Sequence, residues 1–277
     1  MTMNGKDDAK QLRNRLEDDL DSAYWGLKQR INDGKPIYSN YRSLFQKWWR
    51  FGNCSVLLGE VHRAREEYAT AGLYARSMRQ EAVDCWDDLS KSHRMGFGFN
   101  LKWCLYITTL AGDSRLLDAL TDDLLEMADR FEADYGVGSG SNRNYWKLST
   151  LAHLCQGNDS KAKMYLDKYV CDNDKQETEL LSNLHESLLE NDEAATRESL
   201  QQLADAHNDR LSNAHTWKAV FSHATAAHLL VARHREIEIS AAELKGGFVP
   251  EAFDKYDIGT DIDLPEPKYV DESLLLD

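Results

Sequence analysis

Proline is scarce in this chain: four residues in 277, with none between Pro36 and Pro250. A proline ring removes a helix N–H and clashes with the preceding turn, so that gap leaves room for long unbroken helices. Strand signals are as rare. Only Ile237-Glu238-Ile239 has a strand-like pattern, and it is too short and isolated to build a sheet. Cysteine occurs five times, at Cys54, Cys85, Cys104, Cys155 and Cys171, an odd number with no CxxC spacing. That excludes a fully paired disulfide framework, argues against a zinc site, and implies a reducing compartment.

Positive charge is in deficit, with 33 Lys and Arg against 47 Asp and Glu and a formal net charge of −14. Such a balance lacks the basic footprint that nucleic acid or an anionic membrane requires; it suits a cationic partner or plain solubility. No apolar run approaches the roughly 18 residues of a membrane span. The polar start MTMNGKDDAKQLRNRLEDDL has no signal-peptide core. The expectation is a soluble, cytoplasmic protein that engages neither nucleic acid nor membrane.

Catalytic signatures are missing too. There is no HExxH, no GxSxG, and no GK[ST] after the glycine run at 136–142. His207, His215, His223, His228 and His234 do not repeat at the three- or four-residue spacing that sets two rings on one helix face. The carboxylates Glu17-Asp18-Asp19 and Asp122-Asp123 alternate with leucines and belong on exposed helix faces. No catalytic residue, metal or cofactor is expected.

What the chain does have is helical periodicity. Leu12, Leu16, Leu20, Tyr24, Leu27 and Ile31 mark a first helix, and Leu44, Phe45, Trp48, Trp49, Val56 and Leu57 a second. A third carries an apolar stripe from Val61 through Ala64, Tyr68, Ala71, Ala75, Met78 and Ala82 to Leu89. A loop is expected around 92–98, and later helices near 142–156, 159–170, 176–190, 193–208 and 213–235. Four segments share one grammar, an apolar helix end, a Gly, Asn or Asp turn, then a new helix: 57–68, 110–120, 154–166 and 188–200. Their turn glycines are 53 and 45 residues apart, so the array is irregular. The fold class expected is all-α: stacked antiparallel helix hairpins, a degenerate repeat or a two-lobed bundle. The organisation expected is an N-terminal lobe over 1–135, a flexible linker over 136–142, a C-terminal lobe over 143–247 and an irregular acidic tail over 248–277.

Two groups of residues are candidates for meeting a protein partner. Trp48 and Trp49 point about 100° apart on one helix, so with Arg50 they either fill seams between helices or reach a binding surface. Asp254, Asp257, Asp261 and Asp263 belong to the stretch 251–277, where nine acids face two lysines for a net −7, half the charge of the chain. That stretch is suited to a cationic groove on a partner, and equally to a solvated extension.

The segments LLENDEAATRESLQQLADAHNDR (188–210), HTWKAVFSHATAAHLLVARHREIEIS (215–240) and GGFVPEAF (246–253) together resemble the immunity protein 49 family of polymorphic-toxin systems. Ala224, Ala226, Ala227 and Ala232 match its alanine-rich closing helix, Ile237 and Ile239 the apolar stretch after it, and Val249-Pro250 the closure. WWRFGNCSVLLGEVHRAREEYATAGLYA (48–75) is similar to the family's first hairpin. The resemblance runs from about residue 10 to about residue 254 and leaves out the tail from Tyr256. It implies an immunity protein, not an enzyme, that binds a toxin domain and blocks it, and it marks no binding residue. The alternative is a tetratricopeptide-like scaffold or regulator that holds a peptide segment of its partner.

Overall fold

The computed structural model describes residues 6–89, 91–127, 140–170, 176–211, 221–246 and 249–276. Among them are ten α-helices and no strand: α1 Lys6–Asn32, α2 Tyr38–Leu58, α3 Val61–Asp84, α4 Lys91–Thr109, α5 Ser114–Leu125, α6 Gly140–Cys155, α7 Asp159–Val170, α8 Gln176–Glu190, α9 Glu193–Leu211 and α10 His223–His234. The chain is all-α. Residues 136–139 of the linker expected from sequence lie outside the described residues, and Gly140 already opens α6.

The four repeated turns are the joints of the fold. Gly59, Gly112, Gly157 and Asn191 all have positive φ, from +51° at Asn191 to +82° at Gly59. At three of them the same two bonds close the preceding helix. Gly59 N–H reaches Val56 O and Glu60 N–H reaches Ser55 O; Gly157 and Asn158 reach Leu154 O and His153 O; Asn191 and Asp192 reach Leu188 O and Ser187 O. This closure needs a left-handed residue, which glycine adopts freely and asparagine tolerates. At three of the four joints the side chain of the residue after it then caps the next helix; Glu60 is the exception. Asp113 Oδ1 accepts the Leu116 N–H at 3.0 Å and Asp192 Oδ1 accepts the Ala195 N–H at 3.0 Å. Two residues thus end one helix and start another, and α2 packs on α3, α6 on α7, and α8 on α9.

One expectation is corrected. The loop anticipated around 92–98 is helical, because α4 begins at Lys91. Gly96 and Gly98 each disfavour a helix interior by about 1 kcal/mol, and packing of α4 along α3 overrides that local preference. The helix expected over 213–235 is seen from His223, capped by the Ser222 side chain, which accepts the Thr225 N–H; residues 212–220 lie outside the described residues.

The helices group into two units, one made of Asn4–Asp123 together with Asp261–Asp277, the other built on Leu124–Thr260. In the first, a buried charge ties three helices. Arg13 of α1 donates to Ser55 Oγ of α2 at 2.7 Å and pairs with Glu67 of α3, while Ser55 Oγ donates to Glu67 Oε2 at 2.7 Å. Burial pushes the Glu67 carboxyl up, opposed by its bonds from Ser55 and Arg13. Removing one member of such a buried pair costs about 3–5 kcal/mol. In the second unit α10 is buried nearly all round, from Thr225 to Ala232, as a helix apolar on every face must be. Cys54, Cys104 and Cys155 are buried free thiols and Cys85 is half-buried; burial pushes Cys54 up to about 12.

Close approach of α2 to α3 depends on Gly52. A Cβ there would stand 2.4 Å from the Tyr68 ring, and Tyr68 is fully buried with its hydroxyl donating to Asn53 Oδ1 at 2.9 Å. Gly52→Ala should therefore destabilise the chain by about 1–3 kcal/mol, despite the better helix propensity of alanine. Urea denaturation measures this, and a variant as stable as the parent would remove the packing argument.

Candidate functional site

The seven residues singled out from sequence fall in different environments. Trp49 is 2% exposed and stacks on Trp103, with centroids 4.8 Å apart, so it fills a seam between α2 and α4. Trp48 is half-buried; its indole N–H donates to Tyr24 Oη at 3.3 Å, and its ring lies against Phe51. Arg50 is half-buried, and desolvation lowers its pKa. Asp261 and Asp263 are exposed and flank Arg115, around a surface hollow of about 480 Å³ that His62 also borders. Asp254 and Asp257, by contrast, are brought together on a single arginine.

That arginine is Arg233, in the last turn of α10. It donates to Asp257 Oδ1 at 2.6 Å, to Asp254 Oδ1 at 3.2 Å, to the Phe253 carbonyl at 2.9 Å and to the Tyr256 carbonyl. Asp254 also accepts from Ser240 Oγ and from the Ala241 N–H, both at 2.7 Å. The carboxylate of Asp254 is thus committed to folding residues 240–242 against the 3-10 turn Glu251–Lys255. Asp257 is more exposed but remains paired to the same guanidinium.

The same region forms an open groove of about 770 Å³ bordered by Glu236, Glu238, Glu243, Asp254 and Asp257, with Arg233 at its edge. α10 closes with the same bond pattern as the joints, Glu236 N–H to Arg233 O and Ile237 N–H to Ala232 O. Here the left-handed residue is Glu236, at φ +64°, a conformation that costs a side-chain-bearing residue about 1 kcal/mol. No new helix follows. Ile237 and Ile239 turn into the core at 3% and 2% exposure, while Glu236 and Glu238 stand in solvent with no ion pair or side-chain hydrogen bond to another described residue. The amide and carbonyl groups of Glu238 and Ile239 make no hydrogen bond with another described residue either. The short strand-like signal in the sequence is therefore an extended, unpaired segment in an acidic groove. Sequence reasoning placed the strand-like pattern but passed over Glu236 and Glu238, because a pattern cannot show that a segment lies along a groove.

A second cluster escaped the sequence because its members come from different helices. Tyr169 of α7 lies 2.7 Å from His185 Nδ1, His185 Nε2 of α8 lies 3.0 Å from His228 Nε2 of α10, and His228 Nδ1 lies 2.7 Å from the Ala224 carbonyl. A carbonyl only accepts, so His228 Nδ1 carries its proton and its Nε2 accepts from His185 Nε2–H; His185 Nδ1 then accepts from Tyr169 Oη–H. Both rings are neutral in this order. Burial, then the facing His228 and Lys147, pull His185 well below the usual histidine range. His223, at the start of α10, is held down to about 3 by burial and by His207. Among the described residues no group of three or more His, Cys, Asp or Glu is placed to hold a metal ion. None of the described helices is long and apolar enough to cross a membrane.

Two outcomes follow from these geometries. Arg233→Ala should loosen residues 240–257 and lower stability by about 2–3 kcal/mol, the loss of charged hydrogen bonds near the interior; unchanged protease resistance of that stretch would contradict the anchoring role. For the histidines, the folded-state values lie below the 6.5 of a free imidazole. Below pH 6.5 the unfolded chain therefore takes up protons that the folded chain refuses. Stability falls as pH drops through that window, by about 1.4 kcal/mol per pH unit for each of His185 and His223, and the term is flat above it. Urea midpoints between pH 7 and pH 5 test this, and His185→Gln should reduce the slope.

In comparisons with family models, with curated proteins and with solved structures, nothing matches this chain.

Proposed function

We propose that the protein is a non-catalytic binding protein, and that its partner is a toxin domain which it captures and blocks. The observation that carries this reading is the acidic groove of the second unit, in which Glu236 and Glu238 are uncommitted beside an extended stretch with free main-chain groups. A basic segment laid along residues 237–239 gains main-chain hydrogen bonds by strand addition and charge pairs from the two glutamates. Complementary charge also raises the rate of capture, and makes it fall with salt. The class of partner comes from the resemblance to the immunity protein 49 family.

The test begins with the tagged chain as bait in its own host, followed by co-expression with any captured toxin domain. Growth should be restored by the parent chain. The double variant Glu236→Lys/Glu238→Lys, still folded by circular dichroism, should bind the toxin at least roughly tenfold more weakly, mainly through slower association. Equal affinity in the double variant would remove the groove from the interface. Capture of a short segment of a non-toxin protein, with no protection against any toxin, would favour the scaffold reading instead.

A further inference from the structure

The stretch 261–276 is not a free extension. It lies on the first unit, where four side chains hold it through its backbone. Tyr41 Oη donates to the Tyr269 carbonyl at 2.9 Å, Tyr74 Oη to the Lys268 carbonyl at 2.9 Å, Arg76 to the Leu274 carbonyl at 2.5 Å and Arg115 to the Ile262 carbonyl at 3.1 Å. Four side chains from α2, α3 and α5 thus read main-chain oxygens, which every residue type offers. Side-chain contact is shallow: of residues 261–276 only Ile262 is buried, at 5% exposure, while Leu264, Val270 and Leu274–Leu276 are half-buried and Tyr269, 39% exposed, lies with its ring 6.1 Å from that of Tyr24 on α1.

The seating is also imperfect. Tyr269 sits at φ +64°, a strained conformation for an aromatic residue. A partly open hollow of about 250 Å³ lies between Leu73 of α3 and the two arms of the segment, Leu264–Glu266 on one side and Glu272, Leu275 and Leu276 on the other. Side chains bordering such a hollow lack contacts on that side. A segment fixed through its carbonyls, shallow, strained and incompletely packed is one that a better-fitting chain of the same kind can replace.

We propose that this face of α1–α3 and α5 is a peptide groove that recognises extended main chain, and that residues 261–276 are its resident, displaceable occupant. The incoming partner is an extended segment with the chemistry of the resident, carboxylates followed by leucines, since Arg115 lies beside Asp261 and Asp263 and 261–277 itself carries six acids, one lysine and the run Leu274-Leu275-Leu276. The tethered resident competes at an effective concentration on the order of millimolar, so an outside segment binds well only once the resident is released. This surface is separate from the acidic groove and stands whether or not that groove takes a toxin.

The experiment inserts a protease site between the exposed Thr260 and Asp261 of the full chain. The uncut protein should bind a fluorescein-labelled synthetic peptide of residues 261–277 weakly, by fluorescence anisotropy. After cutting, the peptide should exchange with the released segment and bind at least roughly tenfold more tightly, while the helical circular dichroism is kept. Tyr41→Phe/Tyr74→Phe, which deletes the two hydroxyl donors to the segment together with the Tyr74–Tyr24 hydroxyl bond, should weaken that binding by roughly tenfold. A cut segment that does not leave under native conditions, or a body that unfolds when it leaves, makes the segment a structural element and overturns the proposal. Unchanged peptide affinity in the double Phe variant overturns main-chain reading.

Discussion

A chain of L-residues can end one helix and begin the next within two residues only if one of the pair accepts a left-handed backbone angle. In this protein that steric rule sets the joints between layers. Gly59, Gly112, Gly157 and Asn191 take the angle, and each is followed by a polar residue, an acid or Asn158. Because the joints are so short, successive helices have nowhere to go but back along each other, and their apolar stripes become seams. Where the rule is met by Glu236 instead, the chain leaves α10 without starting another helix, and an open groove of charged residues lies there. The same local geometry therefore joins helices at Gly34 and at the four repeated turns, and makes surface at Glu236.

Buried charge refines what the joints arrange. The Arg13–Ser55–Glu67 cluster links α1, α2 and α3 by groups that tolerate no other pairing register. Arg233 does related work at the end of α10, collecting two carboxylates and two carbonyls from a segment with no α-helix of its own. The histidine pair is a neutral version of the idea: a directed run of hydrogen bonds crosses three helices without placing a net charge in the interior.

Much of the fold is legible in the sequence, because its determinants are local. The periodic stripes give the helices, and the Gly-Asp, Gly-Asn and Asn-Asp pairs give the joints. The loop read at 92–98 shows where local reasoning stops. Glycines there weaken a helix on their own account, but α3 supplies a surface that outweighs them. The sites were less legible. Trp48 and Trp49 are adjacent in sequence, yet only partners on α1 and α4 decide that one bonds Tyr24 and the other stacks on Trp103. Asp254 and Asp257 read as free acids until Arg233, some twenty residues earlier, is seen to claim both. His185 and His228 are invisible to any spacing rule, since 43 residues and a helix separate them.

Residues 261–276 complete the unit that begins at α1, yet the whole of the other unit is interposed before them. During synthesis the ribosome must therefore add the 137 residues from 124 to 260 between the two parts. At about 5–20 residues per second, that delay lasts roughly 7 to 27 seconds. For that time the tyrosine and arginine donors on α2, α3 and α5 stand uncovered on a nascent chain whose helices can already have formed. A ligand that favours the uncovered face meets it in every molecule once, early, before its covering segment exists.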